Sequence, residues 1–122
     1  MLRTTRCVFG FVLFLPTVFA MQCGGTQAQE IGEDVKALLV EMTPAIEAAT
    51  QQAGRNGSVQ QLTAVAYMTQ VVAGVNHLIK ARINDGNDYI FVCIYDRFGD
   101  KQVTQLKVGV GADEQLVGRW WD

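Results

Sequence analysis

Residues 75–95 read VNHLIKARINDGNDYIFVCIY, and this stretch decides the fold class. Apolar and polar side chains alternate over residues 75–83, a pattern that is typical of a β-strand with one buried face. The same alternation over residues 89–95 predicts a second strand, whose apolar face carries Ile90, Val92 and Ile94. Residues 85–88 (DGND) have the composition of a hairpin turn, so the two strands are expected to pair antiparallel.

The segments that follow extend this hairpin into a meander. A second turn is predicted at residues 96–100 (DRFGD), and a third strand is predicted from Val103 to Val110. The apolar set of this third strand is Leu106, Val108 and Val110. After a third turn at residues 111–113, residues 116–121 are expected to form a short last strand or an ordered tail. Since no connection after residue 59 is long enough for a parallel crossover, the sheet is predicted to be antiparallel.

Upstream of the strands, the apolar spacing is that of a helix. Residues at intervals of three and four form one apolar face, which comprises Ile31, Val35, Leu38, Leu39, Met42 and Ile46. The opposite face is acidic and carries Glu30, Glu33, Asp34, Glu41 and Glu47. Pro44 is expected to kink the helix or end it near Thr43, with a second helical piece running to about Ala53. Together these elements predict an α+β fold, in which one N-terminal helix packs across a twisted antiparallel β-sheet.

The first twenty residues, MLRTTRCVFGFVLFLPTVFA, have the organisation of a secretory signal peptide. Two arginines precede a short apolar run, and Val18 and Ala20 suit the −3 and −1 positions of a cleavage site. We therefore expect residues 1–20 to be a signal peptide and residues 21–122 to be a single domain, secreted to the extracellular space after cleavage near Ala20-Met21. The alternative is that this segment forms a buried N-terminal strand or helix.

Composition excludes several kinds of partner for the remaining domain. The first twenty residues hold four of the six phenylalanines, and without their two arginines the formal net charge changes from −2 to −4. A mildly acidic domain has no basic excess that would attract nucleic acid or acidic lipid, and no stable membrane insertion is expected. With three cysteines, one histidine and no CxxC pair in the whole chain, neither a zinc site nor any other cofactor is indicated.

Residues 70–74 (QVVAG) interrupt the strand pattern directly before Val75. Gly74 tolerates the backbone angles of a tight turn, which leaves Val71, Val72 and Ala73 as an apolar loop tip. Loop tips are usually polar, so apolar residues at this position indicate contact with a partner. The alternative is that the segment is the interior of a strand with a bulge at Gly74.

At this point the chain resembles the cystatin superfamily of cysteine-protease inhibitors, and its stefin branch most closely. The first hairpin loop of that family has the pattern Gln-x-Val-x-Gly, which QVVAG matches, and the continuation VNHLIKARI also fits. Residues 21–25 (MQCGG) are similar to the Met-x-Cys-Gly start of stefins, and Cys23 belongs to this segment. Residues 21–29 as a whole are expected to form a flexible leader. The resemblance covers roughly residues 21–122 and implies the cystatin fold.

The resemblance implies a function as a reversible, tight-binding inhibitor of papain-like cysteine proteases of the cathepsin type. Leader, QVVAG loop and second hairpin loop would form one wedge that occludes the protease cleft without any covalent step. The implied protease-binding residues are Gly24, Gly25, Gln70, Val71, Val72, Ala73, Gly74, Arg97, Phe98 and Gly99. Gln70 would mainly position the loop through hydrogen bonds. The resemblance also implies a monomer, in which exchange of the long strand across the QVVAG loop would give a domain-swapped dimer.

Several features depart from the family pattern. The second loop lacks both the Pro-Trp pair of secreted, disulfide-bonded cystatins and the Leu-Pro of many stefins. Phe98 is expected to replace them as the apolar contact, the alternative being a ring folded back on its own sheet. The segment 44–61 is longer than in a typical stefin and is expected to lie away from the wedge. Free thiols, or an intermolecular bridge through Cys23, are expected rather than a Cys23–Cys93 disulfide.

Two other function classes are compatible with these residues. Cys93 and His77 lie on neighbouring predicted strands and could be a nucleophile and its base. A lone histidine that alternates with Val75 and Ile79 is expected to be packed in the sheet, however, and no orienting group or oxyanion feature accompanies it. The chain is therefore not expected to be an enzyme. The second alternative is a secreted cystatin-fold binding protein without inhibitory activity, which the missing Pro-Trp or Leu-Pro pair favours.

Overall fold

The structure is a computed structural model that describes residues 25–121. Its elements are β1 (Thr26–Gln29), α1 (Glu33–Gln52), β2 (Leu62–Val72), β3 (Gly74–Ile83), β4 (Asp88–Arg97) and β5 (Asp100–Val110). The strands form one five-stranded antiparallel sheet in the order β1-β2-β3-β4-β5. The predicted α+β class is confirmed. The proposed signal peptide, Cys23 and Gly24 lie outside the described residues.

Helix α1 packs its apolar face against one side of the sheet. Five residues of the predicted face are buried, namely Val35, Leu38, Leu39, Met42 and Ile46. They share one cluster with the alternating residues of β3 and β4, which are Ile79, Ala81, Ile83, Ile90, Val92 and Ile94. Full burial of such side chains stabilises a fold by about 1.5–3 kcal/mol each, so this contact dominates the core. The alternation predicted for the two central strands is confirmed.

The helix differs from the prediction at its start and at Pro44. Ile31 precedes the first helical residue, Glu33, and remains 37% exposed, so it does not belong to the packed face. The expected end near Thr43 is wrong, because α1 continues through Pro44 to Gln52. Pro44 has no backbone N–H and so cannot donate a hydrogen bond to the carbonyl oxygen of Val40, four residues earlier. Both residues are exposed, so water can donate to this carbonyl instead.

The prediction of a flexible leader over residues 21–29 is wrong for its last four residues, which form β1. Thr26 pairs with Gln70 and Gln29 pairs with Tyr67, which makes β1 an edge strand beside β2. The Gln29 side-chain amide also donates to Thr69 Oγ1 at 3.0 Å. Backbone pairing, rather than an apolar face, defines this strand.

Strand β5 divides its apolar residues between the two faces of the sheet. Leu106 and Val108 pack against the cluster under α1, whereas Val110 is buried on the opposite face beside Phe91. The prediction of one common set is therefore wrong for Val110. The pairing of β4 with β5 shifts between Tyr89 and Phe91, and Gly109 nearby has a φ of 70°. Such a bulge changes which face the following side chain occupies.

The remaining chain, residues 111–121, is the C-terminal tail. It forms turns rather than a strand and covers the sheet face that α1 leaves open. Leu116 is buried there with Leu78, Phe91 and Cys93. The ordered-tail form of the prediction is confirmed.

Of the segment 44–61, residues 44–52 belong to α1, and residues 53–61 lie at the end of the sheet where β3 turns into β4. Arg55 Nε donates to Asp88 Oδ2 at 2.6 Å, and the Asn84 side-chain oxygen accepts the backbone N–H groups of Gln60 and Gln61 at 2.9 and 3.1 Å. Glu47 Oε2 accepts the Val59 N–H at 2.7 Å. The β2–β3 and β4–β5 turns lie at the other end of the antiparallel sheet, so this segment is remote from both loops of the expected wedge, as predicted.

Candidate functional site

Antiparallel pairing brings three predicted segments to one end of the sheet. Strand β2 ends at Val72 where β3 begins, and β4 ends at Arg97 where β5 begins. Thr26, the first residue of β1, pairs with Gln70 near the same end. We call this end the hairpin edge and define it as Gly25, residues 70–74 and residues 97–99. The structure brings together at this end the predicted site residues that it describes, and Gly24 lies outside the described residues.

Gly74 is the residue on which the first hairpin turn depends. Only Ala73 separates the paired residues Val72 and Gly74, and Gly74 has a φ of 125°. A Cβ at this position would also lie 2.8 Å from the Asp96 carbonyl oxygen and 3.0 Å from the Tyr95 ring. Both the backbone angle and the space therefore require glycine. The segment is a hairpin turn, and the alternative of a bulge within a strand is wrong.

The residues of this turn divide into a buried anchor and an exposed tip. Gln70 is only 7% exposed, and its Oε1 accepts the Asn76 side-chain N–H at 3.0 Å across the hairpin. Val71 and Val72 remain 50% and 40% exposed, and Ala73 is exposed with them. Gln70 therefore ties the two strands together, while the apolar tip is presented to solvent.

Tyr95 supports the tip from the neighbouring strand. Its hydroxyl donates to the Ala73 carbonyl oxygen, and its ring lies next to Gly74. Nothing in the sequence pattern singled out this residue, since Tyr95 reads simply as the last position of the second predicted strand. The hydrogen bond joins the first hairpin turn to the strand that leads into the second.

The second hairpin turn presents Phe98 outward. Phe98 has a φ of 54° and is 96% exposed, so the alternative of a ring folded back on the sheet is wrong. Asp96 Oδ1 accepts the Gly99 N–H at 2.9 Å and closes the turn. A left-handed backbone costs a residue other than glycine roughly 1–2 kcal/mol, and the Asp96 contact helps to maintain it. Arg97 is exposed beside the ring.

His77 lies behind the hairpin edge on the face of the sheet that α1 covers. Its Nδ1 is 2.6 Å from the Tyr67 hydroxyl, and its Nε2 is 4.0 Å from Asp96 Oδ2. Burial lowers the pKa of His77 from its ordinary value of 6.5, Asp96 acts against this shift, and Lys101 adds to it. Lys101 is itself paired with Glu41 of α1, at 2.9 Å. Folding therefore favours the neutral form of the His77 imidazole relative to the unfolded chain.

Cys93 and His77 do not form a nucleophile and its base. Strand pairing places His77 opposite Ile94 and Leu78 opposite Cys93, so the two side chains lie on different faces of the sheet. Cys93 is a free, buried thiol, and burial raises its pKa. A buried thiol of raised pKa is a poor source of thiolate.

Residues 25–121 contain neither a metal-binding cluster nor a membrane-spanning helix. No group of three or more His, Cys, Asp and Glu side chains in this part of the chain could hold a metal ion. Among the same residues, no helix is long and apolar enough to cross a membrane.

The titration of His77 should make stability depend on pH. An unfolded chain binds the proton near the ordinary pKa, whereas the folded chain resists it, so the free energy of unfolding falls as the pH drops through about 6.5. We expect His77→Gln to lose less stability than the wild-type protein between about pH 7.5 and pH 5. Urea unfolding at each pH measures this difference, and parallel curves for the two proteins would contradict it.

No family model matches the sequence. Among curated proteins, the chain is similar to cystatin-A of Felis catus, with 31% identity over 96 residues that cover 75% of this chain and 85% of the relative. It is 29% identical to cystatin-A of Homo sapiens over 99 residues, or 78% of this chain and 95% of the relative. It is 32% identical to cystatin-B of Oplegnathus fasciatus over 79 residues, which cover 64% of this chain and 73% of the relative.

These similarities span most of the chain and agree with the arrangement of one helix on a five-stranded antiparallel sheet. The hairpin turn at residues 70–74 has the QVVAG sequence on which the resemblance was first based. The chain therefore belongs to the cystatin superfamily and is of the stefin type.

Proposed function

We propose that this protein is a secreted, reversible, tight-binding inhibitor of papain-like cysteine proteases of the cathepsin type. The observation that carries the proposal is the hairpin edge itself, where two apolar loop tips and the start of β1 converge. Membership of the cystatin superfamily supports the same function. Inhibition would follow from occlusion of the protease cleft, and it needs no covalent step.

The hairpin edge presents apolar side chains to solvent. Val71, Val72 and Phe98 lie at or beside turns and are 50%, 40% and 96% exposed, so the fold covers about half of each valine and almost none of Phe98. Their transfer from water into a protease cleft would contribute about 25 cal/mol for each Å² of apolar surface removed from water. Binding through these side chains is therefore driven by the hydrophobic effect.

The rest of the edge is already arranged for binding. Gln70 with Asn76, Tyr95 with Ala73, and Asp96 with Gly99 are hydrogen bonds that hold the two turns before any partner arrives. Loops that are ordered in advance lose less conformational entropy on binding, which raises affinity. Gly25 is exposed at the start of β1, and the proposed contact of Gly24 and Gly25 would let the leader backbone lie close to the protease.

The first loop should tolerate no charge at its tip. Val72→Asp would take a carboxylate into an apolar contact, and we expect it to raise the inhibition constant against papain at least about tenfold. Val65→Asp is a matched control, because Val65 is on the same strand, is 45% exposed and lies far from the turn.

Measurement of the wild-type protein in the same assay tests the competing function, a binding protein without inhibitory activity. Titration of papain with the folded wild-type protein should give stoichiometric inhibition. A folded protein that leaves papain fully active would overturn the proposal and favour a binding protein without inhibitory activity. Equal weakening by both aspartate variants would show that the hairpin edge is not the contact surface.

Phe98 should act as the apolar contact of the second loop. Loss of a buried phenylalanine contact removes about 1.5–3 kcal/mol, so Phe98→Ala is expected to raise the inhibition constant roughly 10- to 100-fold. Phe98→Leu keeps an apolar side chain of comparable reach and should retain most of the affinity. Inhibition constants of the two variants against one protease are the measurement, and identical values for wild type and Phe98→Ala would exclude the contact.

The proposed secretion can be tested on the full chain. In a secreting host, we expect the protein in the medium with Met21 as its N-terminal residue, as read by mass spectrometry. Leu13→Arg should abolish export, because a charge disrupts the apolar run of a signal peptide. Recovery of the wild-type chain inside the cells with Met1 still attached would show that residues 1–20 are not a cleaved signal.

A further inference from the structure

The C-terminal tail reaches the strand that carries the leader. Residues 111–121 follow β5 and cover the sheet face opposite α1, where Leu116 is 7% exposed against Leu78 and Phe91. Two residues further on, Gly118 lies directly against Thr26, the first residue of β1. The tail thus connects the far edge of the sheet with the hairpin edge.

The first part of the tail is tethered by a buried cation. Lys80 is 4% exposed, and its Nζ donates to the carbonyl oxygens of Ala112 and Glu114, both at 2.7 Å. The Glu114 carboxylate accepts from Lys107 Nζ at 2.8 Å and from the Gly111 N–H at 3.3 Å. A buried ammonium group must be paired to offset its desolvation, so these contacts hold the tail to the sheet.

The last part of the tail is held by aromatic packing. Arg119 has a φ of 57°, and the residues around it form a turn. The Trp120 ring is 5.4 Å from the Phe91 ring, and the Trp121 ring packs edge-on against Trp120 at 4.8 Å. Gly118 is therefore fixed from both sides, by Lys80 through the preceding residues and by Phe91 through the following ones.

Gly118 lies too close to Thr26 to accept any side chain. A Cβ at this position would be 2.7 Å from both Thr26 Cγ2 and Thr26 Oγ1, and 3.1 Å from Thr26 Cβ. Rotation of Thr26 could not relieve this contact, because both branches of the side chain and their common carbon are involved. The backbone of Gly118 is not in the left-handed region, so alanine would be strained by crowding and not by its own conformation.

Movement of Thr26 would reach the hairpin edge directly. Thr26 pairs with Gln70, and Gly25 of the leader precedes it. β1 is a polar strand of four residues that pairs with β2 alone, so few contacts oppose its displacement. The tail is the second surface against which this strand rests.

We propose that the C-terminal tail holds β1 and the preceding Gly25 in place for protease binding, with Gly118 as a positioning residue that acts through Thr26. The inference rests on the proposed protease inhibition, since the leader matters only if the hairpin edge contacts a protease. Tail and leader lie at opposite termini of the chain, yet one glycine–threonine contact makes the position of the leader depend on the tail.

The test compares Gly118→Ala with a matched alanine variant of the same tail. The full chain is expressed in a secreting host, and inhibition constants are measured against papain. Gly118→Ala is expected to raise the inhibition constant about tenfold. Gly111→Ala should change it by less than about twofold, because a Cβ at Gly111 would meet only Glu114 Cβ, at 3.9 Å.

Rescue distinguishes positioning from general damage to the fold. Thr26→Ala removes the two atoms that would lie 2.7 Å from a Cβ at position 118 and leaves only the Thr26 Cβ contact at 3.1 Å, so the double variant Gly118→Ala/Thr26→Ala should recover most of the lost inhibition. Hydrogen exchange should show faster exchange in residues 26–29 of Gly118→Ala, with unchanged protection in β3 and β4. Wild-type inhibition by Gly118→Ala, a loss that Thr26→Ala does not restore, or unchanged exchange in β1 would each overturn the proposal.

The same experiment separates this inference from the function on which it rests. If the wild-type protein does not inhibit papain, the proposed function fails, and the exchange of residues 26–29 still decides whether the tail holds β1. If the wild-type protein inhibits and Gly118→Ala inhibits equally well, only the role of the tail is wrong.

Discussion

The rest of the structure depends on the antiparallel register of β3 and β4 beneath α1. Ile79, Ala81 and Ile83 share one face with Ile90, Val92 and Ile94, and all six are buried against the helix. A slip of one residue would turn these side chains toward the opposite face and expose them, so the apolar core specifies the register strongly. Once this register is set, the turns before β3 and after β4 must lie at the same end of the sheet.

The turns at that end combine a residue of positive φ with a supporting contact from β4. Gly74 and Phe98 both have positive φ values, of 125° and 54°. Tyr95 supports the first turn through Ala73, and Asp96 closes the second through Gly99. Because Tyr95 and Asp96 are adjacent on β4, one short piece of strand holds both loop tips. This arrangement explains how two apolar, exposed tips stay ordered without packing on their own sheet.

The periodic elements could be predicted from the sequence, and the elements defined by distant partners could not. Alternation over residues 75–95 and the apolar spacing around Leu38 describe the central strands and the helix correctly, because burial on one face imposes those periods. TQAQ carries no such period, since β1 is polar and exists through its pairing with Gln70. Pro44 is expected to kink the helix or end it near Thr43, but α1 continues to Gln52, because burial of Ile46 beyond the proline outweighs a missing hydrogen bond at an exposed position. The apolar tip at residues 71–73 was visible in the sequence, whereas the roles of Tyr95, Lys80 and Gly118 depend on contacts across the sheet.

The two ends of the sheet differ in how much change in loop length and side-chain size they can accommodate. At the β3–β4 end, Asn84 and Glu47 accept backbone N–H groups of the connection between α1 and β2, and Arg55 of the connection donates to Asp88, so polar contacts hold this segment to the sheet. At the hairpin edge, Gly74 has no space for a Cβ atom, and neither does Gly118 where the tail meets β1. Length can therefore vary at one end while the other keeps its shape, because the buried register of β3 and β4 lies between them. A change in the connection between α1 and β2 can therefore leave the hairpin edge unchanged.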